Sequence, residues 1–204
     1  MNTSIDERRR WEGRFIQRLA FWTITLIHDN PLLPWFKNPY DILKQAGLQP
    51  GQTVLEVGCG PGYFTITAAR LVGKDGLVYA VDVNPFAVAR VRRKIEREGL
   101  KNVVPLLANA SRTTIPDRTI DLVFVFGLPR IAGGLQNLLA EMGRILEPSG
   151  TMAFQISEGL HGDLIETMKR CGFETIGQKG RIFLFSGERG SVAPVPARKT
   201  ENVS

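Results

Sequence analysis

From residue 40 onward, short apolar runs alternate with segments of helical period, and this alternation restricts the chain more than any other feature. Expected strands cover residues 53–57, 77–81, 103–107, 120–126 and 151–156, and expected helices cover 40–46, 63–71, 85–98 and 135–146. A succession of strand, helix and strand is satisfied by parallel pairing, with helices packed on both faces of the sheet. The far end breaks the pattern. After an expected helix over 163–171, strands over 173–178 and 181–185 are separated by little more than Lys179-Gly180, a gap that only an antiparallel hairpin can bridge. The predicted class is α/β: a doubly wound, mostly parallel seven-stranded sheet closed by an antiparallel β-hairpin and preceded by a helical extension.

The 204 residues, 43% hydrophobic and 23% charged, suit one domain with one core. The expected division is an N-terminal amphipathic helix and lid over 1–37, the sheet domain over 38–186, and a flexible tail rich in Pro, Gly, Ser and charge over 187–204. A net charge of +6 is modest; it suits a solvated basic face as well as it suits nucleic acid or an anionic membrane. Cys59 and Cys171 are too few for a disulfide framework and lack metal-ligand spacing, so the expectation is a reduced, cytoplasmic protein with no metal site. Arg8-Arg9-Arg10 followed by LAFWTITLI over 19–27 imitates a signal peptide, but no small-residue cleavage site follows, and the run is too short to span a membrane. Trp11, Phe15, Leu19, Trp22 and Leu26 share one helical face beside the row Arg10, Arg14 and Arg18. Such a helix either packs on the domain, over its site, or lies peripherally on a membrane surface.

The sequence VLEVGCGPGYFT, over 54–65, sets Gly58, Gly60 and Gly62 in the turn between the first strand and its helix. In a Rossmann-like sheet this turn lies at the carboxyl edge, where glycines permit positive φ and let a ligand lie against bare backbone amides. The next strand ends in Asp82, placed to accept hydrogen bonds from both hydroxyls of a ribose. A nucleoside-containing ligand is predicted. Dinucleotide-binding folds share this geometry, but their fingerprint is G-x-G-x-x-G, whereas this loop reads Gly58-Cys59-Gly60-Pro61-Gly62 with Glu56 ahead of it.

VLEVGCGPGYFT resembles motif I of the class I S-adenosylmethionine-dependent methyltransferases, and VYAVDVNP over 78–85 is similar to their second motif. PLLANA, TIDLVFVFGLP and EMGRILEPSGTMAF extend the resemblance, which covers roughly residues 40–186 including the closing hairpin. It implies S-adenosylmethionine as cofactor and S-adenosylhomocysteine as product. It further implies that Gly58, Cys59, Gly60 and Gly62 contribute close backbone, and that Glu56 holds the cofactor's amino group; the other reading of Glu56 is a carboxylate supporting the loop through backbone amides. Asp82 is implied to take the ribose hydroxyls and Val83 to pack on the adenine face. Asn109 and Ala110 stand where the family commonly has Asp and a small residue at the adenine edge; the Asn109 amide oxygen can still accept there, without charge. Phe126, with Gly127, is implied to border cofactor and substrate.

Methyl transfer from a sulfonium needs mainly proximity, orientation and exclusion of water, so no residue is assigned as catalytic. The two histidines, His28 and His161, are candidate bases by reach alone. Gly127-Leu128-Pro129-Arg130 stands where amine-methylating enzymes of nucleic acid bases or glutamine carry Asn/Asp-Pro-Pro-aromatic, which disfavours that subclass. Asn38-Pro39-Tyr40 and Asn84-Pro85-Phe86 are decoys, each better read as a helix start. The resemblance favours the ubiquinone/menaquinone and phospholipid methyltransferase type, with a small-molecule or lipid acceptor. An RNA or protein methyltransferase and a non-catalytic cofactor-binding partner subunit are the alternatives.

Overall fold

A computed structural model describes residues 38–126, 131–155 and 161–187. Its elements are α1 (Pro39–Gln45), β1 (Thr53–Val57), α2 (Tyr63–Val72), β2 (Leu77–Asp82), α3 (Pro85–Glu98), β3 (Val103–Leu107), β4 (Ile120–Val125), α4 (Leu135–Ile145), β5 (Leu146–Gln155), α5 (His161–Arg170), β6 (Phe173–Lys179) and β7 (Ile182–Gly187). They form one seven-stranded sheet in the order β3-β2-β1-β4-β5-β7-β6. β1 pairs in parallel with β2 and β4, while β7 runs antiparallel to both β5 and β6. The doubly wound sheet with a closing hairpin is the predicted one.

Alternation along β1 assigns its side chains to two cores. Val54 joins α1, α2 and α3 on one face through Leu43, Ala68, Ala69 and Val91; Leu55 and Val57 join α4 and α5 on the other through Leu138, Met142 and Met168. Both Asn-Pro sequences start helices as read. The Asn38 side chain accepts from Tyr40 N at 3.0 Å and the Asn84 side chain from Phe86 N at 2.9 Å, with Pro39 and Pro85 where a missing amide costs nothing.

β5 begins at Leu146, five residues before the expected start at Thr151. Leu146 pairs with Ile120, the register shifts, and pairing resumes at Leu122 opposite Thr151. Gly150 fits this shift because a Cβ there would lie 2.8 Å from the Ile120 carbonyl. β7 reaches Gly187, one residue past the expected domain edge. The expected N-terminal helix and lid, the tail beyond Gly187, His28 and Gly127 lie outside the described residues.

Gly76 lies where α2 turns into β2. A Cβ there would stand 2.5 Å from Val72 Cβ and 2.7 Å from the Gln52 carbonyl, so backbone has to move to admit it. Gly76→Ala is expected to lower unfolding free energy by about 1–3 kcal/mol, measured by urea denaturation.

Candidate functional site

The glycine loop leaves β1 under tight backbone control. Gly58 N and Cys59 N both donate to the Val81 carbonyl, at 2.8 and 3.1 Å, and Gly62 N donates to Cys59 O at 2.9 Å. Gly58, Gly60 and Gly62 have φ of 77°, 50° and 82°, the left-handed region that costs an ordinary residue about 1–2 kcal/mol. At Gly62 space is short too: a Cβ would meet Val91 Cγ2 at 3.1 Å.

Asp82 ties this loop to the next. Its Oδ2 accepts from Gly60 N at 2.9 Å and its Oδ1 from Asn84 N at 2.8 Å. One carboxylate thus fixes the turn after β1 and the turn after β2, and each oxygen retains a lone pair for further donors.

Below the loop lies Glu56, 4% exposed, on the α2 face of the sheet. Its Oε2 accepts from Thr65 Oγ1 at 2.5 Å. Burial pushes its carboxyl up to about 8 from an ordinary 4.5; the Thr65 hydrogen bond works against that rise and the Asp82 charge adds to it. The expected alternative for Glu56, bonds to backbone amides of the loop, is not what is seen: the recorded partner is a hydroxyl on α2. Cys59 is buried beside it. Desolvation first, then the charges of Glu56 and Asp82, push its thiol far above the usual range. A thiol held protonated in this way is a packing group rather than a nucleophile.

At the carboxyl edge an open cleft is lined by Val57, Gly58, Val81, Asp82, Val83, Ala108, Asn109, Ala110, Ile131 and Ala132. Of the ten residues expected at the site, Gly58, Asp82, Val83, Asn109 and Ala110 line this cleft. Cys59, Gly60 and Gly62 lie beside it in the loop, and Glu56 lies beneath on β1. Val83, an apolar side chain 55% exposed, offers a flat surface for a ligand ring to cover. The Asn109 amide oxygen accepts from Ser111 N at 2.9 Å, closing a local turn, and has one acceptor position left.

Phe126 was expected to border cofactor and substrate. It does not line the cleft; it is 8% exposed, and its ring packs 5.2 Å from Phe64 and 5.3 Å from Phe124, centroid to centroid. Sequence reasoning missed Thr65, Ile131 and Ala132. Thr65 carried a readable signal, a hydroxyl on the inward face of the helix that follows a glycine loop. Ile131 and Ala132 carried none, as they belong to a connection without period. Asn109 and Ser111 meet that connection directly: Ser111 Oγ donates to the Ala132 carbonyl at 2.8 Å, and Gly133 lies so close that a Cβ would stand 2.9 Å from Ser111 Oγ.

Among the described residues no group of His, Cys, Asp and Glu is arranged to hold a metal ion, and no helix is long and apolar enough to cross a membrane.

Residues 54–150, the span holding loop, acid and cleft, match the family described as methyltransferase domain. The chain is 32% identical over 128 residues to a demethylmenaquinone methyltransferase of Geobacillus stearothermophilus, covering 62% of this chain and 53% of that protein. It is 36% identical over 112 residues to a ubiquinone/menaquinone biosynthesis C-methyltransferase of Hydrogenovibrio crunogenus, covering 54% of this chain and 44% of that one. The chain therefore spans about half the length of the curated relatives it matches. Among solved structures, a SAM-dependent methyltransferase from Aquifex aeolicus superposes with a TM-score of 0.63 at 26% identity, over 78% of this chain and 92% of that one.

Proposed function

We propose that this chain is a class I S-adenosylmethionine-dependent methyltransferase that binds S-adenosylmethionine at the carboxyl edge and methylates a small, apolar, quinone-like or lipid-like acceptor. The observation that carries this reading is the Asp82 clamp, a carboxylate that organises both turns beside the cleft and still has acceptor capacity.

The residues present fit such a cofactor. A ribose finds the free lone pairs of Asp82, an adenine finds the exposed face of Val83 with Asn109 and Ala110 at its edge, and bare backbone at Gly58 allows close approach. An ammonium group finds Glu56, a buried carboxyl that meets a hydroxyl rather than a cation among the described residues. When bound, S-adenosylmethionine supplies an electrophilic sulfonium methyl group and a neutral thioether leaving group. The protein's own part is to hold that group in line with the acceptor and keep water out, a positioning task for the glycine loop, Asp82 and the Ile131-Ala132 wall. The names of the relatives favour an acceptor of quinone type. In this reading the amphipathic segment over residues 1–37, which lies outside the described residues, roofs an apolar pocket and touches a membrane surface, on the strength of its Trp and Phe anchors beside an arginine row.

Calorimetric titration with S-adenosylmethionine, S-adenosylhomocysteine and NADH tests the cofactor, with liposome sedimentation on the same sample. The expected result is micromolar binding of the two sulfur compounds and none of NADH. NADH binding without the sulfur compounds overturns the cofactor reading; absence of binding to anionic liposomes at low salt overturns the membrane part alone.

A further inference from the structure

We propose that Thr65 is a positioning residue: its hydroxyl orients the Glu56 carboxyl and eases its ionisation, so that the site under the glycine loop accepts a cationic group near neutral pH. This goes beyond the cofactor reading and, for its ligand, rests on it.

The geometry is specific. Thr65 is the third residue of α2, its side chain fully buried, and Glu56 is the fourth residue of β1, almost fully buried. Two polar side chains that face one another across a sheet and helix interface, amid Ala68, Val54 and Phe124, are costly there unless they serve each other. The 2.5 Å contact joins them through Glu56 Oε2. A hydroxyl has one proton to donate, and donating it to a carboxylate favours the charged form.

The surrounding charges give Thr65 its importance. From β2, Asp82 raises the cost of a charge on Glu56; from the loop, the Cys59 thiol stays neutral; from α3, Lys94 passes its stem 3.7 Å from where a Gly62 Cβ would be. The backbone amides of the loop are spent elsewhere: Gly58 and Cys59 on Val81, Gly60 on Asp82, Gly62 on Cys59. Thr65 is thus the recorded donor to this carboxyl. Without it, the carboxyl would keep its proton to higher pH and lose its fixed rotamer, and a cationic ligand would have to displace that proton at greater cost.

The test is a ¹³C carboxyl titration of the ligand-free protein, with Glu56→Gln used to assign the signal, comparing the parent with Thr65→Val and Thr65→Ser. Valine keeps the shape and removes the hydroxyl; serine keeps the hydroxyl. The Glu56 midpoint is expected to rise by about one pH unit in Thr65→Val and to stay with the parent in Thr65→Ser. S-adenosylhomocysteine affinity at pH 7 is then expected to fall about tenfold in Thr65→Val, with the pH profile of binding shifted upward by the same unit. A midpoint that does not move in Thr65→Val overturns the proposal. So does an affinity loss uniform across pH, which is what mere packing damage produces. If the parent binds no S-adenosylhomocysteine, the cofactor reading fails and the ligand-free titration still decides the role of Thr65.

Discussion

Glu56→Gln is expected to make the ligand-free protein more stable at alkaline pH. In the folded state burial holds the carboxyl protonated up to about 8, whereas unfolding returns it to an ordinary 4.5. Between those values the unfolded chain binds fewer protons than the folded one, so stability falls as pH rises through the window and levels off above it. At about 1.36 kcal/mol per unit the penalty reaches the order of 4 kcal/mol. Glutamine carries no such charge, yet its amide oxygen can still accept from Thr65. Parent and variant should therefore unfold alike near pH 5, and the variant should resist urea better by several kcal/mol near pH 8.5. A difference that stays constant between those pH values would sink the idea that the buried carboxyl titrates at all. On the proposed function the same substitution weakens S-adenosylhomocysteine at least tenfold at pH 8.5, because the negative charge that attracts the ammonium is gone. A gain in stability joined to a loss in binding is the mark of a functional carboxyl whose burial is unfavourable to the fold.

Asp82→Ala is the second large effect, and its sign is opposite for stability. The Gly60 and Asn84 amides lose their acceptor, and both turns loosen. On the proposed function each ribose hydrogen bond to this charged group is worth about 1.5–3 kcal/mol, so cofactor affinity should fall at least tenfold where one is lost and at least about a hundredfold where both are. Calorimetry with S-adenosylhomocysteine reads the loss directly; an unchanged Kd would show that the ribose does not use this acid. A second readout separates binding from loop damage. Removing the Asp82 charge takes away one of the influences that raise Glu56, so the Glu56 midpoint should drop in the ligand-free variant.

Sheet, glycine loop and the acid that ends the second strand were legible because each is written in local chemistry. The strand over Thr53–Val57 and the helix over Pro85–Glu98 follow from apolar period, an Asn-Pro start and a glycine stop, all within the segment itself. Asp82 was legible because its place, the last residue of the second strand, follows from topology. What escaped depends on contacts between distant segments. The early start of β5 at Leu146 exists because Ile120, some two dozen residues away, offers a pairing site that no local pattern announces. Thr65 shows in the sequence as a hydroxyl on the inward face of its helix, but its partner appears only when β1 is laid against α2 and Glu56 faces it. Phe126 directly follows β4, and its ring meets Phe64 and Phe124, contacts that no local pattern announces. Propensity places a residue along an element, but only packing decides which neighbour its side chain meets.

The strand order also governs how the molecule can be assembled as it is made. β7, the last described strand in the chain, lies between β5 and β6 rather than at a margin. A nascent chain that has emerged only as far as β6 carries a parallel half-sheet whose β5 flank, with Met152 and Phe154 on it, is still an open template. β6 has nothing to pair with until β7 arrives and zips both neighbours at once. Completion of the described sheet is thereby deferred to β7, and any pause in synthesis just before residue 182 leaves a sticky edge exposed to other chains.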